Sequence, residues 1–189
     1  MYPLYKMWSG EFSKNDCDQI ISKAQKLFAH EAKVTRGEQH NVEDIRERSS
    51  KVRWIKRDAD HGLNDLFSTL DKYFKLANLH FGFNLTLFED LQFAEYNEDD
   101  QYVWHPDWFP ETKNNHQRKL SMTVQLTDPS HYDGGDFQFH DLDDNPDVQL
   151  LKKQGTILMF PSYLVHRVRP VTRGRRYSLV AWYEGPEFK

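Results

Sequence analysis

The stretch GTILMFPSYLVHRVRPVTRGRRYSLVAW, residues 155–182, alternates apolar runs with residues that turn the chain. Ile157, Leu158, Met159 and Phe160 form one run, stopped by Pro161. A second run forms around His166. Pro170 and Gly174 then turn the chain before a third, from Arg176 to Trp182. Apolar runs of roughly 4–8 residues bounded by turn signals suit strands buried in a sandwich or barrel. The pattern extends upstream. Strands are expected near 91–96, 101–105, 119–127, 136–140, 147–151, 155–160, 165–169 and 176–183, with turns at Asp133-Gly134-Gly135 and Asn145-Pro146. Phe81, Phe83, Leu85 and Leu87 alternate with other residues and predict one more strand, half buried.

The period is different nearer the N-terminus. Ser13 to Phe28 reads as a helix capped by Ser13, with Cys17, Ile20, Ile21, Ala24, Leu27 and Phe28 on one face. Asp60 to Asn78 reads as a second, with Leu63, Leu66, Phe67, Leu70, Phe74 and Ala77 as its buried stripe. Residues 30–50 are polar and read as loop. The expected fold is mainly β (α+β): a double-stranded β-helix core, jelly-roll and cupin-like, at about 81–185. Helical support from about 1–80 packs on one side, and residues 1–189 form one domain.

Composition narrows the function. Of 189 residues, 38% are hydrophobic and 14% aromatic, enough for a packed core. The formal charge of −4 speaks against a general nucleic-acid-binding face. Cys17 is the only cysteine, which excludes an intrachain disulfide and a cysteine zinc site. No signal-peptide profile or membrane-length apolar run is seen, so the expectation is a cytoplasmic protein with no membrane partner.

The chemistry starts at His105-Pro-Asp107, within Tyr102-Val-Trp104-His105-Pro-Asp107-Trp108-Phe109. Residues i and i+2 share a strand face, so His105 and Asp107 could hold one metal ion, although a solvated strand end shows the same pattern. A further histidine would complete a 2-His-1-carboxylate site with open positions. His30, His40, His61 and His80 lie in the helical half, and His116, His131 and His140 lie in or near turns. His166 begins a strand that a barrel can bring beside the first. Arg176 follows across a Pro/Gly turn. Facing inward, it would need an internal acid or an acidic ligand, because guanidinium binds carboxylate bidentately. Arg167, Arg169, Arg173 and Arg175 are expected to face solvent.

These blocks resemble the prolyl 4-hydroxylase-like Fe(II)/2-oxoglutarate dioxygenases, including the PKHD-type hydroxylases. The resemblance runs from Tyr96-Asn-Glu-Asp-Asp-Gln-Tyr102-Val-Trp-His105-Pro-Asp107 through RKLSMTVQL and YDGGDF to the opening stretch, over roughly 91–183. It implies that His105, Asp107 and His166 hold Fe(II) and that Arg176 binds the distal carboxylate of 2-oxoglutarate. Tyr96, Gln125 and Trp182 would contact or line the co-substrate pocket. Tyr102, Trp104 and Trp108 are the substrate-side candidates. Oxygen would be the second co-substrate, with ascorbate as a candidate reductant. The implied reaction is hydroxylation of a prolyl residue in a protein or peptide, with succinate and carbon dioxide as co-products. Two other readings stay open: hydroxylation of a free amino acid or other small molecule, and an inactive jelly-roll binding module. One departure is Glu98-Asp99-Asp100, where many relatives carry glycines; that loop commonly borders the substrate entrance. The acidic tract 141–147 lacks the calcium-loop glycine and glutamate and reads as a solvated hairpin.

Overall fold

The structure, a computed structural model, describes residues 4–31, 34–36, 39–42, 48–110, 115–143 and 145–188. The chain begins with β1 (Lys6–Trp8), α1 (Lys14–Ala24), β2 (His30–Glu31), β3 (Val34–Arg36), β4 (Gln39–Val42) and β5 (Lys51–Ile55). It continues through α2 (Asp65–Phe81), β6 (Leu87–Phe88), β7 (Leu91–Tyr96), β8 (Tyr102–His105) and β9 (His116–Gln125). It ends with β10 (Tyr132–Gly134), β11 (Phe137–Phe139), α3 (Val148–Lys152), β12 (Ile157–Pro161), β13 (His166–Val168), β14 (Val171–Gly174) and β15 (Arg176–Pro186).

The larger sheet runs β1-β12-β9-β15-β7-β5-β2, with β6 beside β15. A three-stranded sheet, β11-β13-β8, and the β10-β14 pair form the other wall. β3 pairs with β4 in a separate hairpin. The long antiparallel β9–β15 pairing, from Ser178↔Gln125 to Pro186↔His116, anchors the large sheet. The architecture is the expected double-stranded β-helix.

Strand alternation divides the large sheet into two sets of side chains. Phe93 on β7, Met122 and Val124 on β9, Met159 on β12 and Leu179 on β15 face the helices. There they meet Cys17 and Ile20 of α1 and Leu70 and Phe74 of α2. Each such side chain, fully buried, stabilises the fold by about 1.5–3 kcal/mol. On the opposite face, Ala94, Tyr96, Leu158 and Phe160 pack with Phe137, Phe139, Val168 and Val171. The space between the two walls holds the site described below.

Several local expectations are corrected. Ser13 caps α1 in a capping box with Asp16, but the helix stops at Ala24 and Phe28 is exposed. α2 starts and ends later than 60–78. Phe81 is its last residue, and Gly82 ends it in the left-handed conformation at φ +70°. The alternation of 81–87 therefore comes from chain wrapped over the helical cluster, and only Leu87–Phe88 pairs as a strand. Residues 147–151 are helical, because the Asp147 carboxylate accepts from the amides of Gln149 and Leu150 and nucleates α3. The acidic tract leads into this helix; Asp144 lies outside the described residues. β1 and β5 were not expected. The 30–50 stretch, only partly among the described residues, contributes β2, β3 and β4.

Gly155 fixes the junction between the N-terminal segment and the sheet. Its carbonyl accepts from the amides of Glu11 (2.9 Å) and Phe12 (3.2 Å), and its own amide donates to the Gln125 carbonyl (2.7 Å). At φ +79°, a Cβ there would lie 1.9 Å from the Phe12 oxygen, so only glycine fits. No helix among the described residues is long and apolar enough to cross a membrane.

Candidate active site

Antiparallel pairing of β8 with β13 sets His105 directly opposite His166. Asp107 follows where the chain leaves β8, held by the amides of Asp107 and Trp108, which both donate to the Ser162 carbonyl (2.9 Å each). The Asp107 carboxylate lies 3.8 Å from His105 Nε2 and 3.7 Å from His166 Nε2. All three ligand atoms fall within 4.8 Å of one another, and no other such group of three occurs among the described residues.

Each ring is aimed by a local contact. His105 Nδ1 donates to the Val103 carbonyl at 2.7 Å, and His166 Nδ1 to the Leu164 carbonyl at 2.9 Å. Facing a carbonyl, each Nδ1 must carry the hydrogen. The Nε2 lone pairs are thus left turned toward Asp107, as metal-ligating histidines are commonly arranged. Burial, with the neighbouring His166 ring, holds the His105 imidazole down at about 3, so the ring is neutral at neutral pH. Burial pushes the Asp107 carboxyl up, but His166, His105, Arg118 and the Ser121 hydroxyl more than offset this and bring it to about 2. One carboxylate and two imidazole nitrogens converging from one side are the donor set of a 2-His-1-carboxylate ferrous site, with the remaining positions open to the cavity.

That cavity, about 180 Å³, is lined in part by Tyr96, Tyr102, Arg118, Thr123, Arg176 and Trp182, together with the three ligands. Arg176 begins β15 opposite Tyr96 on β7, its guanidinium 5.4 Å from the Tyr96 ring. It is 3% exposed. Its Nη1 donates to Ser178 Oγ at 3.3 Å, its guanidinium also interacts with the Tyr132 hydroxyl, and its buried Nε has no partner. No carboxylate among the described residues pairs with it. Gly135 leaves room for it: a Cβ at φ +61° would come 2.9 Å from Arg176 Cδ. A buried guanidinium with an orphaned donor fits a carboxylate ligand.

The other expected residues divide. Tyr96 and Trp182 line the cavity, and the Trp182 indole N–H is buried without a partner. Gln125 does not line it. Its amide donates to the Tyr132 hydroxyl (2.9 Å) beside a smaller cavity behind Arg176. Tyr102 lines the main cavity and stacks on His105 at 3.4 Å. Trp104 and Trp108 do not line it. Trp104 is on the outer surface against Arg167 (4.2 Å) and His140, beside a separate groove, whereas Phe109 does reach the main cavity. Arg169, Arg173 and Arg175 are exposed as expected; Arg167 is half-buried on Gln138.

Sequence reasoning missed Arg48, Trp54, Gln92 and Arg118, which also line the cavity. Gln92 could have been found: between Leu91 and Phe93, it must face away from the helices. Arg118 makes a bidentate pair with Glu89 (2.7 and 2.8 Å) and lies 3.7 Å from the Trp182 ring.

Residues 91–184 match the model of a family described as the 2OG-Fe(II) oxygenase superfamily. A PKHD-type hydroxylase of Shewanella frigidimarina is 32% identical over 96 residues, covering 49% of this chain and 42% of the relative. A PKHD-type hydroxylase of Synechococcus sp. strain CC9311 is 43% identical over 65 residues, covering 34% of this chain and 29% of the relative. The chain thus matches less than half the length of these curated relatives. Among solved structures, the viral collagen prolyl hydroxylase of Paramecium Bursaria Chlorella virus-1 superposes with a TM-score of 0.69 at 19% identity, over 97% of both chains. A Trichoplax adhaerens prolyl hydroxylase, solved with a hypoxia inducible factor peptide fragment, gives 0.75 at 18% identity, over 95% of this chain and 83% of that one. At such identities the likeness is one of fold.

Proposed function

The chain belongs to the 2OG-Fe(II) oxygenase superfamily, and from that premise we propose that it is an Fe(II)- and 2-oxoglutarate-dependent dioxygenase that hydroxylates a prolyl residue of a protein or peptide. One observation carries the reading: the converging His105, Asp107 and His166 ligand atoms share a cavity with Arg176, a buried guanidinium that no acid among the described residues neutralises. The names of the structural neighbours support the prolyl substrate.

His105, Asp107 and His166 would hold Fe(II), and Arg176 would hold the distal carboxylate of 2-oxoglutarate. Bound iron would supply the oxygen chemistry, in which decarboxylation of 2-oxoglutarate to succinate is coupled to substrate hydroxylation. The protein's part is position and shelter. The Val103 and Leu164 carbonyls keep both imidazoles turned inward. Arg176, backed by Ser178 and the Tyr96 ring, would hold the co-substrate by its carboxylate. Phe137, Phe160, Val168 and Trp182 wall the site and exclude water.

The test is turnover with purified protein, Fe(II), 2-oxoglutarate and oxygen, combined with mass spectrometry of a host lysate. Oxygen-dependent succinate release, with a one-oxygen mass gain on prolyl peptides, is the expected result. Modification of free metabolites alone would transfer the reading to a small-molecule hydroxylase. Absence of any 2-oxoglutarate turnover would leave the inactive binding module.

A further inference from the structure

Three guanidiniums line the cavity: Arg48, Arg118 and Arg176. Arg118 is neutralised by its bidentate pair with Glu89. In the proposed loaded site, Fe(II) and 2-oxoglutarate cancel, and Asp107 cancels Arg176. Arg48 is left with one positive charge that no acid among the described residues matches. It is only 7% exposed. A guanidinium so buried is normally paired.

Arg48 is also built in. Its backbone bridges to Tyr102, and the Ser49 amide donates to the Gln101 carbonyl, which fixes Arg48 against the strand that carries His105. Its Nε donates to Ser50 Oγ (2.8 Å) and its Nη2 to Gln92 Oε1 (2.7 Å). A guanidinium has five N–H bonds; beyond those two, three on Nη1 and Nη2 have no acceptor among the described residues, and one N–H from each nitrogen can together grip a carboxylate bidentately. The Arg48 Cζ lies 4.6 Å from the Tyr102 ring, and that ring stacks on His105 at 3.4 Å and 14°. Arg48 therefore stands one ring beyond a proposed metal ligand.

Resting on the dioxygenase reading above, we propose that Arg48 receives a carboxylate of the substrate, so that the enzyme selects a substrate that is anionic close to the hydroxylated carbon. That carboxylate can be the α-carboxylate of a free or C-terminal residue, or the side chain of an acidic residue next to the target in a peptide. Gln92 holds the guanidinium in place, and Tyr102 spaces it from the metal ligands.

The experiment is anaerobic calorimetry on the Fe(II)- and 2-oxoglutarate-loaded protein, with the visible absorption of that complex as a second readout. The probes are acid and amide pairs: L-proline with L-prolinamide, N-acetyl-L-proline with its amide, and a blocked Pro-Glu peptide with its Pro-Gln counterpart. At least one acid should bind about tenfold or more tightly than its amide, and the pair that discriminates identifies the source of the carboxylate. Arg48→Gln should erase the preference, and Arg48→Lys should keep part of it. Both variants should bind 2-oxoglutarate as the wild type does, and thermal melting of each verifies its fold. The proposal is overturned if no acid binds, if every amide binds like its acid, or if Arg48→Gln keeps the preference. It is also overturned if Arg48→Gln weakens 2-oxoglutarate as much as Arg176→Met, since Arg48 would then belong to the co-substrate. Failure of wild-type protein to bind 2-oxoglutarate in the control titration would instead sink the dioxygenase reading.

Discussion

His105 and His166 are each oriented by a carbonyl two residues earlier in the chain, so the metal site depends on short-range geometry repeated on two facing strands. His166→Ala removes one of three ligands. It should abolish the visible band that Fe(II) and 2-oxoglutarate give together without oxygen, because two protein ligands hold iron poorly. Retention of full iron binding in that variant would refute the assignment. Arg176→Met should leave iron binding intact but weaken 2-oxoglutarate. Breaking a buried charge pair costs roughly 3–5 kcal/mol, or on the order of a hundredfold to a few thousandfold in affinity, read by anaerobic calorimetry. Arg176→Lys should recover only part, lacking the planar fork. The shared strand face of His105 and Asp107 was legible from their spacing, whereas His166 and Arg176 were singled out by the family resemblance. Arg48 and Arg118 were not legible, since a polar residue facing a cavity looks the same in sequence as one facing water. Gln125 illustrates the limit: its strand was foreseen, but the register opposite Ser178 takes it to Tyr132 behind Arg176.

Among the elements, the strands from 91 onward were readable because apolar runs there are separated by proline and glycine. What escaped reading depended on single caps and distant partners. Asp147 turns an alternating segment into α3, and β5 takes its strand partners, β7 and β2, from elsewhere in the chain. Gly155→Ala tests the junction of the N-terminal segment with β12. It combines a positive φ with a backbone clash and should cost roughly 2–4 kcal/mol in urea unfolding. Ordinary stability in that variant would show the junction to be pliable. The docking of α1 has its own reporter in Cys17, fully buried on the helix face. Burial, with Asp16 and Asp18 nearby, pushes its thiol up to about 11. In native protein at pH 8 it should therefore resist disulfide reagents and react fully once urea unfolds the chain. Rapid reaction in the native state would mean that α1 detaches readily.

For the whole molecule, ligands that bind only the folded chain must raise its melting temperature. At a hundred times the dissociation constant the gain is about 2.7 kcal/mol, or roughly 5–10 °C for a chain of this size. Fe(II) or Mn(II) with 2-oxoglutarate should give that shift, and a chelator should reverse it; no shift would count against the site. The general plan, helices on one face of a jelly-roll, was legible from the change of period near residue 81. The pairing of the two walls was not, because it joins segments far apart in sequence. The alternation along β7, β9 and β15 has a further consequence. Along β15 site residues and core residues take turns, Arg176, Ser178 and Trp182 on one side, Leu179 and Ala181 on the other. Parity along these strands is therefore a kind of reading frame. One residue inserted mid-strand would turn the following site residues toward the helices and the following core residues into the cavity. Variation that alters substrate choice without dismantling the fold is thereby confined to substitutions in place and to the connections at the cavity mouth.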